Sequence, residues 1–171
     1  MTKESTMRCV KNLLPLLLFL LFVSGCARYE SLHIGDPPPQ VVLSDMHGKR
    51  MTVPGDLKGQ VVLIRFWSAT CPRCTKEMIN ALESLYQKYR EKGLIVLSVN
   101  VNPLNEVSDK FRQADKVSFS VLLDPDLSAA KRYGAKVLPT TFILDRNGVV
   151  KEKMLGETGV EMFEPLVREL L

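Results

Sequence analysis

The chain has 171 residues, which is room for one domain of ordinary size with a short appendage rather than for two full domains. Its composition, 46% hydrophobic, 25% charged and 7% aromatic, excludes a disordered or collagen-like chain, and four cysteines are too few for a disulfide-rich scaffold. The net charge is only +4, and 23 basic residues are interleaved with 19 acidic ones, which argues against a nucleic-acid-binding function.

The first 25 residues predict an export signal. Residues 13–23 form an uncharged apolar stretch that follows three basic residues and ends at Ser24-Gly25. A helix that crosses a bilayer needs about 20 apolar residues, so this shorter stretch fits a cleaved secretory signal better than a membrane-spanning anchor.

The signal ends in Val23-Ser24-Gly25-Cys26, which resembles the lipobox of bacterial lipoproteins. In such proteins the cysteine receives lipid and becomes the first residue of the mature chain; an ordinary secretory cleavage site with an incidental cysteine is the alternative. Stable membrane binding needs more than one acyl chain, and lipoproteins carry several. We therefore expect an exported protein, anchored through Cys26 at the outer face of the cytoplasmic membrane or the periplasmic face of the outer membrane.

The rest of the chain is predicted to be one domain on a tether. Residues 26–40 are the expected tether, since Pro37-Pro38-Pro39 favours extended backbone, and residues 41–171 are the expected domain. Apolar patterning predicts strands over 41–44, 50–53, 61–67, 94–100, 121–123, 140–144 and 149–155. It predicts helices from the residues after 70 to Gly93, and over 105–116, 127–133 and 160–171. This order predicts an α/β fold, a mixed central sheet flanked by helices, with an N-terminal β-hairpin.

Two cysteines follow the strand predicted over 61–67, in the sequence Cys71-Pro72-Arg73-Cys74. Because Cys9 lies in the removed segment and Cys26 is assigned to lipid, these two are the cysteines expected in the mature domain. So close a pair serves as a structural bridge, a metal ligand pair, a haem attachment site or a redox couple.

The neighbouring residues favour the redox couple. Covalent haem attachment needs a histidine after the second cysteine, where this chain has Thr75. Zinc normally needs four Cys or His ligands, and the chain adds only His33 and His47, both before the predicted core. A structural disulfide is the remaining alternative, although closing so short a loop contributes little chain entropy. We expect a redox-active Cys71–Cys74 disulfide with no metal and no other cofactor.

The cysteine pair is predicted to lie at the start of an amphipathic helix. Apolar residues recur at helical spacing over 78–89, and Pro72 suits a first-turn position, where its missing N–H costs nothing. The free N–H groups and dipole of a helix start, with Arg73 as a nearby cation, favour the thiolate of Cys71. We therefore expect Cys71 to attack a partner's disulfide and Cys74 to resolve the mixed disulfide.

Two segments carry a family resemblance, Trp67-Ser68-Ala69-Thr70-Cys71-Pro72-Arg73-Cys74-Thr75-Lys76-Glu77 and Leu138-Pro139-Thr140-Thr141-Phe142. In combination they resemble thioredoxin-like proteins of the TlpA/ResA type, and the similarity covers roughly residues 35–171. Members of this family are extracytoplasmic thiol-disulfide oxidoreductases. The resemblance implies a thioredoxin-like sheet and disulfide exchange through the cysteine pair.

The resemblance also implies roles for residues around the cysteines. The proline that matches Pro139 is cis and lies against the pair, and Leu138 before it offers backbone groups to an incoming peptide; an ordinary trans proline is the alternative. Glu77 matches a glutamate that tunes the site, although the helix dipole favours a glutamate there in any case. Trp67 is expected to pack beside the site and to line the substrate-binding surface with Leu138 and Pro139.

Two residues depart from the family's pattern. Thr70 stands where a tryptophan often precedes the first cysteine, which leaves less aromatic cover over Cys71. Arg65 occupies the strand position where thioredoxins keep a buried acid that relays protons, and an arginine cannot serve as that base. We expect the Arg65 side chain to extend to the edge of the sheet, and Glu77 to be the nearest candidate for a proton relay.

The implied partners are extracytoplasmic protein thiols or disulfides, for example apocytochrome c before haem attachment, with a membrane thiol reductant upstream. A monomer held at the membrane by its lipid anchor is expected. Strongly oxidising relatives stabilise the thiolate with a residue between the two cysteines. Here Pro72 and Arg73 supply a cation but no histidine, so the sequence favours a reductant over a strong oxidant.

Two other functions stay open. A thiol peroxidase is one, because peroxiredoxins share the fold; of the proline and threonine that precede their reactive cysteine, this chain has only Thr70 nearby. A copper-carrying lipoprotein of the Sco kind is the other, but it needs a wider cysteine spacing and a distal histidine, and no histidine follows His47.

Overall fold

A seven-stranded mixed sheet organises the computed structural model, which describes residues 31–72, 76–103 and 116–171. The strands are β1 (Val41–Asp45), β2 (Arg50–Val53), β3 (Val61–Trp67), β4 (Leu94–Asn100), β5 (Ser120–Leu123), β6 (Thr140–Leu144) and β7 (Val150–Leu155). The helices are α1 (Lys76–Tyr89), α2 (Ser128–Tyr133) and α3 (Val160–Leu170), with 3-10 turns at Gly55–Leu57 and Arg90–Lys92.

The strands are arranged in the order β2-β1-β5-β4-β3-β6-β7. The three inner strands β3, β4 and β5 run parallel, and β6 is antiparallel to β3 and to β7. β1 and β2 form the predicted hairpin, and β1 joins it to the sheet by pairing antiparallel with β5. The mixed sheet flanked by helices and the N-terminal hairpin are thus confirmed.

β3 occupies the middle of the sheet because its residues can be buried on both faces. All seven are buried, as the nearly continuous apolar sequence predicts. Successive side chains alternate between two apolar clusters, Val62, Ile64 and Phe66 in one and Val61, Leu63 and Trp67 in the other. α2 covers the first cluster, whereas α1 and α3 cover the second.

Glycines end two helices where the sequence predicts. Gly93 has a φ of 101° and donates its N–H to the carbonyl of Arg90, closing the 3-10 turn that extends α1. Gly134 has a φ of 66° and donates to the last carbonyls of α2. Both positions need the left-handed backbone that glycine adopts without a steric cost.

Residues 31–36, called the docked segment below, lie against the sheet although the sequence assigns them to the tether. Leu32 is buried in the core on the α2 side. Gly35 donates its N–H to the carbonyl of Val150 at 2.8 Å, and Val150 donates to the carbonyl of Asp36 at 3.0 Å. The segment therefore adds backbone hydrogen bonds at the start of β7.

Several predicted features lie outside the described residues. They are the export signal over 1–25, Cys26, Cys74 with the predicted helix start at the cysteine pair, and nearly all of the helix over 105–116. Of the helices in the described ranges, none is both long and apolar enough to cross a membrane.

Candidate functional site

Cys71 follows the carboxyl end of β3, at one edge of the sheet. β3 and β6 are antiparallel with Phe66 opposite Thr140, so the chain that leads to Cys71 and the chain that follows Pro139 meet at this edge. The parallel strand β4 also ends there, with Asn100 opposite Trp67. We call this end of the sheet, with Cys71, Asn100 and Pro139, the site edge.

Cys71 is half-buried and packs against the apolar cluster on the α1 side of the sheet. Trp67 and Ala69 are buried in the same cluster, so Trp67 packs beside the site as expected. The backbone N–H of Cys71 donates to the carbonyl of Ser68 at 3.1 Å, and Pro72 follows in an exposed turn. The loop after β3 thus presents Cys71 between the core and the surface.

Two asparagines at the end of β4 hold the loop that carries Cys71. Oδ1 of Asn102 accepts hydrogen bonds from the hydroxyl of Ser68 at 2.7 Å and from the backbone N–H of Ala69 at 2.8 Å. Asn100, fully buried, accepts from the same N–H at 3.3 Å and donates to the carbonyl of Asn102 at 3.2 Å. The Ser68 and Thr70 hydroxyls are 2.9 Å apart and hydrogen bonded. These bonds fix the loop geometry two residues before Cys71.

Neither asparagine is among the site residues predicted from the sequence. A usable signal was present, because Asn100-Val101-Asn102 is a polar interruption directly after a buried apolar strand. Side chains at the carboxyl ends of parallel strands share one edge of a sheet, so the asparagines could have been placed near Cys71 from the strand order alone.

The loop before β6 forms the other side of the site edge. The Leu138–Pro139 peptide is cis, as the family resemblance implies. Pro139 is buried, Leu138 is half-buried against the core on the α2 side, and Val137 is exposed. The carbonyl of Pro139 accepts a hydrogen bond from the N–H of Gly156 at 2.8 Å, which joins the loop to the end of β7. The backbone contacts of Leu138 with a peptide stay a prediction.

The Arg65 side chain extends across β6 to the segment after β7, but its guanidinium does not reach water as the expected extension to the sheet edge requires. Its side chain is only 3% exposed. Nη1 donates to Oγ1 of Thr141 at 2.8 Å, and Nη2 forms an ion pair with Oε2 of Glu157 at 3.0 Å. Strand alternation turns Arg65 inward, and a carboxylate and a hydroxyl help to stabilise its buried guanidinium by accepting hydrogen bonds from two of its donors. The contacts of Arg65 with Thr141 and Glu157 therefore link β3 to β6 and to the segment after β7.

Glu77 lies in the first turn of the described part of α1 and is exposed. Its role in tuning the cysteines stays a prediction. Within the described ranges, no three His, Cys, Asp or Glu side chains are grouped as metal ligands. His33 and His47 are exposed, and each donates its backbone N–H to an aspartate in its own turn at 2.8 Å.

Comparisons with known proteins identify the families to which the chain is similar. The AhpC/TSA family model matches residues 34–153. The chain is 32% identical over 152 residues to the thiol-disulfide oxidoreductase ResA of Bacillus thuringiensis (strain Al Hakam), a match that covers 89% of this chain and 87% of that protein. It is 32% identical over 146 residues to ResA of Geobacillus thermodenitrificans (strain NG80-2), covering 84% and 82%.

A solved structure supports the thioredoxin-like fold. The crystal structure of a thiol:disulfide interchange protein DsbE from Chlorobium tepidum is similar with a TM-score of 0.67 and 28% sequence identity. The similarity covers 82% of this chain and 96% of that one, so the fold is thioredoxin-like, as the sequence predicts.

Replacing Asn102 with alanine is expected to slow the reaction of reduced Cys71 with a disulfide by roughly tenfold or more, because a loop freed from its acceptor misplaces the attacking sulfur. Stopped-flow kinetics with a small soluble disulfide measures this rate. Asn102→Asp keeps an oxygen acceptor for Ser68 and Ala69 and is expected to recover most of the rate. Asn80→Ala, in an exposed position of α1, is the matched control. Equal rates for Asn102→Ala and this control would contradict the assignment.

Replacing Glu157 with glutamine is expected to lower the free energy of unfolding by about 2 kcal/mol, because the Arg65 charge stays buried without its counter-charge. The loss is smaller than for a fully buried pair, since the Glu157 side chain is 31% exposed. Urea unfolding measures it. Adding Arg65→Met should restore part of the loss. Glu91→Gln, which breaks an exposed pair with Arg90, is expected to cost less than about 1 kcal/mol, and an equal loss at Glu157 would refute the buried-pair account.

Proposed function

This chain belongs to the AhpC/TSA family and to the ResA-type thiol-disulfide oxidoreductases, and from that premise we propose that it reduces protein disulfides outside the cytoplasm through Cys71 and Cys74. The observation that supports this most is the placement of Cys71. It is half-buried in the loop after the central strand, which Asn100 and Asn102 hold through Ser68 and Ala69, and it shares the site edge with the Pro139 loop.

The proposed exchange has two steps. The Cys71 thiolate attacks one sulfur of a partner's disulfide; a mixed disulfide forms, and the partner's other sulfur leaves as a thiolate. The Cys74 thiolate then attacks Sγ of Cys71, which forms the Cys71–Cys74 disulfide and releases the partner's second thiolate. Two electrons pass to the partner, and solvent protonates the released thiolates.

Residues around Cys71 and Cys74 are proposed to bind the partner and to accept the proton of the Cys74 thiol. Trp67, Leu138 and Pro139 line the surface on which the partner's segment lies. Glu77 is the proposed proton acceptor, because Arg65 takes the strand position of the acid found in thioredoxins and is engaged by Glu157. Its exposed position in the first turn of the described helix suits exchange of that proton with water.

The disulfide itself is the redox group of this proposal, and no other cofactor is needed. A membrane thiol reductant is the proposed source of the two electrons that return Cys71 and Cys74 to the dithiol. The proposed substrate is an extracytoplasmic protein disulfide such as that of apocytochrome c, reduced before haem attachment in cytochrome c maturation. The protein is proposed to act as a monomer.

Lipid at Cys26 is the proposed membrane attachment. The support is in the sequence, where a basic start, a short apolar stretch and small residues precede the cysteine. The mature protein would then face the periplasm from the outer face of the cytoplasmic membrane or from the outer membrane.

Cys74→Ser is expected to accumulate a mixed disulfide with a substrate peptide, because the resolving thiol is gone while the attacking thiol remains. Cys71→Ser is expected to accumulate none. Intact-protein mass spectrometry after incubation with a disulfide-containing peptide measures both. Trapping through Cys74 in the Cys71→Ser variant would reverse the assigned roles.

The reduced protein with both cysteines present distinguishes disulfide exchange from the two other candidate functions, thiol peroxidase and copper carrier. Rapid consumption of hydrogen peroxide by the reduced protein would support the peroxidase alternative, and tight copper binding by the reduced protein would support the copper carrier.

The Cys71–Cys74 couple is expected to have a reduction potential below about −220 mV, in the range of proteins that donate electrons to disulfides. Equilibration with glutathione or dithiothreitol buffers, followed by thiol alkylation and mass spectrometry, measures it. A potential of about −120 mV, where strong oxidants lie, would reverse the proposed direction of electron flow.

A further inference from the structure

We propose that one corner of the domain faces the bilayer, so that the site edge meets its partners at the membrane surface. This corner consists of the docked segment and the exposed side chains of Val137 and Leu155, and the buried residues Gly134 and Pro139 lie behind it. The proposal rests on the lipid anchor at Cys26 proposed above and adds an orientation, which an anchor on a long tether would not impose.

Lys153 of β7 fixes the point at which the chain enters the domain. Its ammonium group donates to Oγ of Ser31, to the carbonyl of Leu32 at 3.3 Å and to the carbonyl of Gly134 at 3.5 Å. An ammonium has three N–H donors, so these contacts saturate it. Burial lowers the pKa of Lys153, and the nearby charge of Lys136 adds to this effect. The chain is therefore held against the domain as far as Ser31.

The docked segment follows β7 toward the site edge. Gly35 and Asp36 bond to Val150, at the start of the strand, whereas Ser31 lies at Lys153, further along it. β7 ends at Leu155, which is opposite Thr140, the residue after Pro139. Traced back from residue 36 to residue 31, the chain therefore approaches the end of the sheet that carries Pro139.

The remaining length of chain is too short to let the domain turn over. Cys26 is five residues before Ser31, and five extended residues span at most about 17 Å. A folded domain of this size has a radius of gyration of about 14 Å and is therefore roughly 35 Å across. A lipid anchor at Cys26 would keep the entry point near the bilayer and the opposite side of the domain away from it.

The surface at this corner suits a membrane interface. Val137 is 50% exposed and Leu155 57%, and Ile34 in the docked segment is also exposed. Lys136, next to Val137, is an exposed cation. Apolar side chains beside a cation are the combination that binds at the boundary between headgroups and acyl chains, with anionic lipid adding to the attraction.

Methyl NMR of the lipidated mature chain in nanodiscs tests the orientation. The discs contain phosphatidylethanolamine and phosphatidylglycerol, with a gadolinium chelate on a fraction of the headgroups. Paramagnetic relaxation is expected to be severalfold larger for the methyls of Val137 and Leu155 than for those of Val42. This control is similarly exposed, at 52%, but lies on β1, which four strands separate from β7. Equal relaxation at Val42, or a larger effect there, would overturn the proposal.

Two changes to the chain test the cause of the orientation. A Gly/Ser linker of about fifteen residues before Ser31, with an end-to-end distance of about 20 Å, is expected to abolish most of the difference. Lys153→Ala, which releases the docked segment, is expected to reduce it, whereas Lys151→Ala removes an exposed lysine of the same strand and should leave it unchanged. A difference that survives the linker undiminished would refute a role for the short tether.

Two further measurements separate this proposal from the proposed function. Mass spectrometry of the mature chain shows whether Cys26 carries lipid, and its absence would overturn both the anchor and the orientation. Exchange with a soluble disulfide peptide reports on Cys71 and Cys74 alone. A lipidated, exchange-competent protein with equal relaxation at Val137, Leu155 and Val42 would refute the orientation and leave the proposed function intact.

Discussion

Burial of β3 on both faces is the constraint on which the site depends. A strand buried on both faces suits the interior of a sheet, where β3 pairs with β4 on one side and β6 on the other, and the register of these pairings decides which residues lie near Cys71. Here the pairing with β4 brings Asn100 to the site edge, and the pairing with β6 brings Pro139. A slip of one residue in either pairing would turn the side chains of that strand to the opposite faces of the sheet. The same apolar sequence that builds the core therefore also sets the geometry of the cysteine loop.

Arg65 is the exception in that strand, and its contacts show how the exception is tolerated. Removing a guanidinium from water costs several kcal/mol unless a counter-charge and further acceptors replace the lost hydration. Glu157 and Thr141 supply both, and they come from the two segments that flank the Pro139 loop in space. Together with the hydrogen bond from Gly156 to Pro139, they connect β3, β6 and the end of β7. Polar contacts thus hold the site edge together where the apolar core ends.

Local patterns predicted the architecture well, and contacts distant in sequence limited the prediction of the site. The unbroken apolar sequence of β3 and the glycine after α1 each indicate their structure without reference to the rest of the chain, whereas the cis proline before β6 is implied by the family resemblance. Asn102 reaches Ser68 across 34 positions and Glu157 reaches Arg65 across 92, so neither contact follows from periodicity. The expectation that the Arg65 guanidinium reaches water failed for the same reason. Its partners Thr141 and Glu157 come from other elements of the fold, and the sequence around Arg65 does not indicate them.

The hydrogen bonds at the start of β7 have a consequence for the behaviour of the folded protein in concentrated solution. β7 is the outermost strand on its side of the described sheet, and such strands can pair with a second molecule through their unpaired backbone groups. Gly35 and Asp36 occupy both backbone groups of Val150, the residue with which the strand begins. While the N-terminal segment is docked, this position of the outermost strand is therefore closed to the backbone of a second molecule.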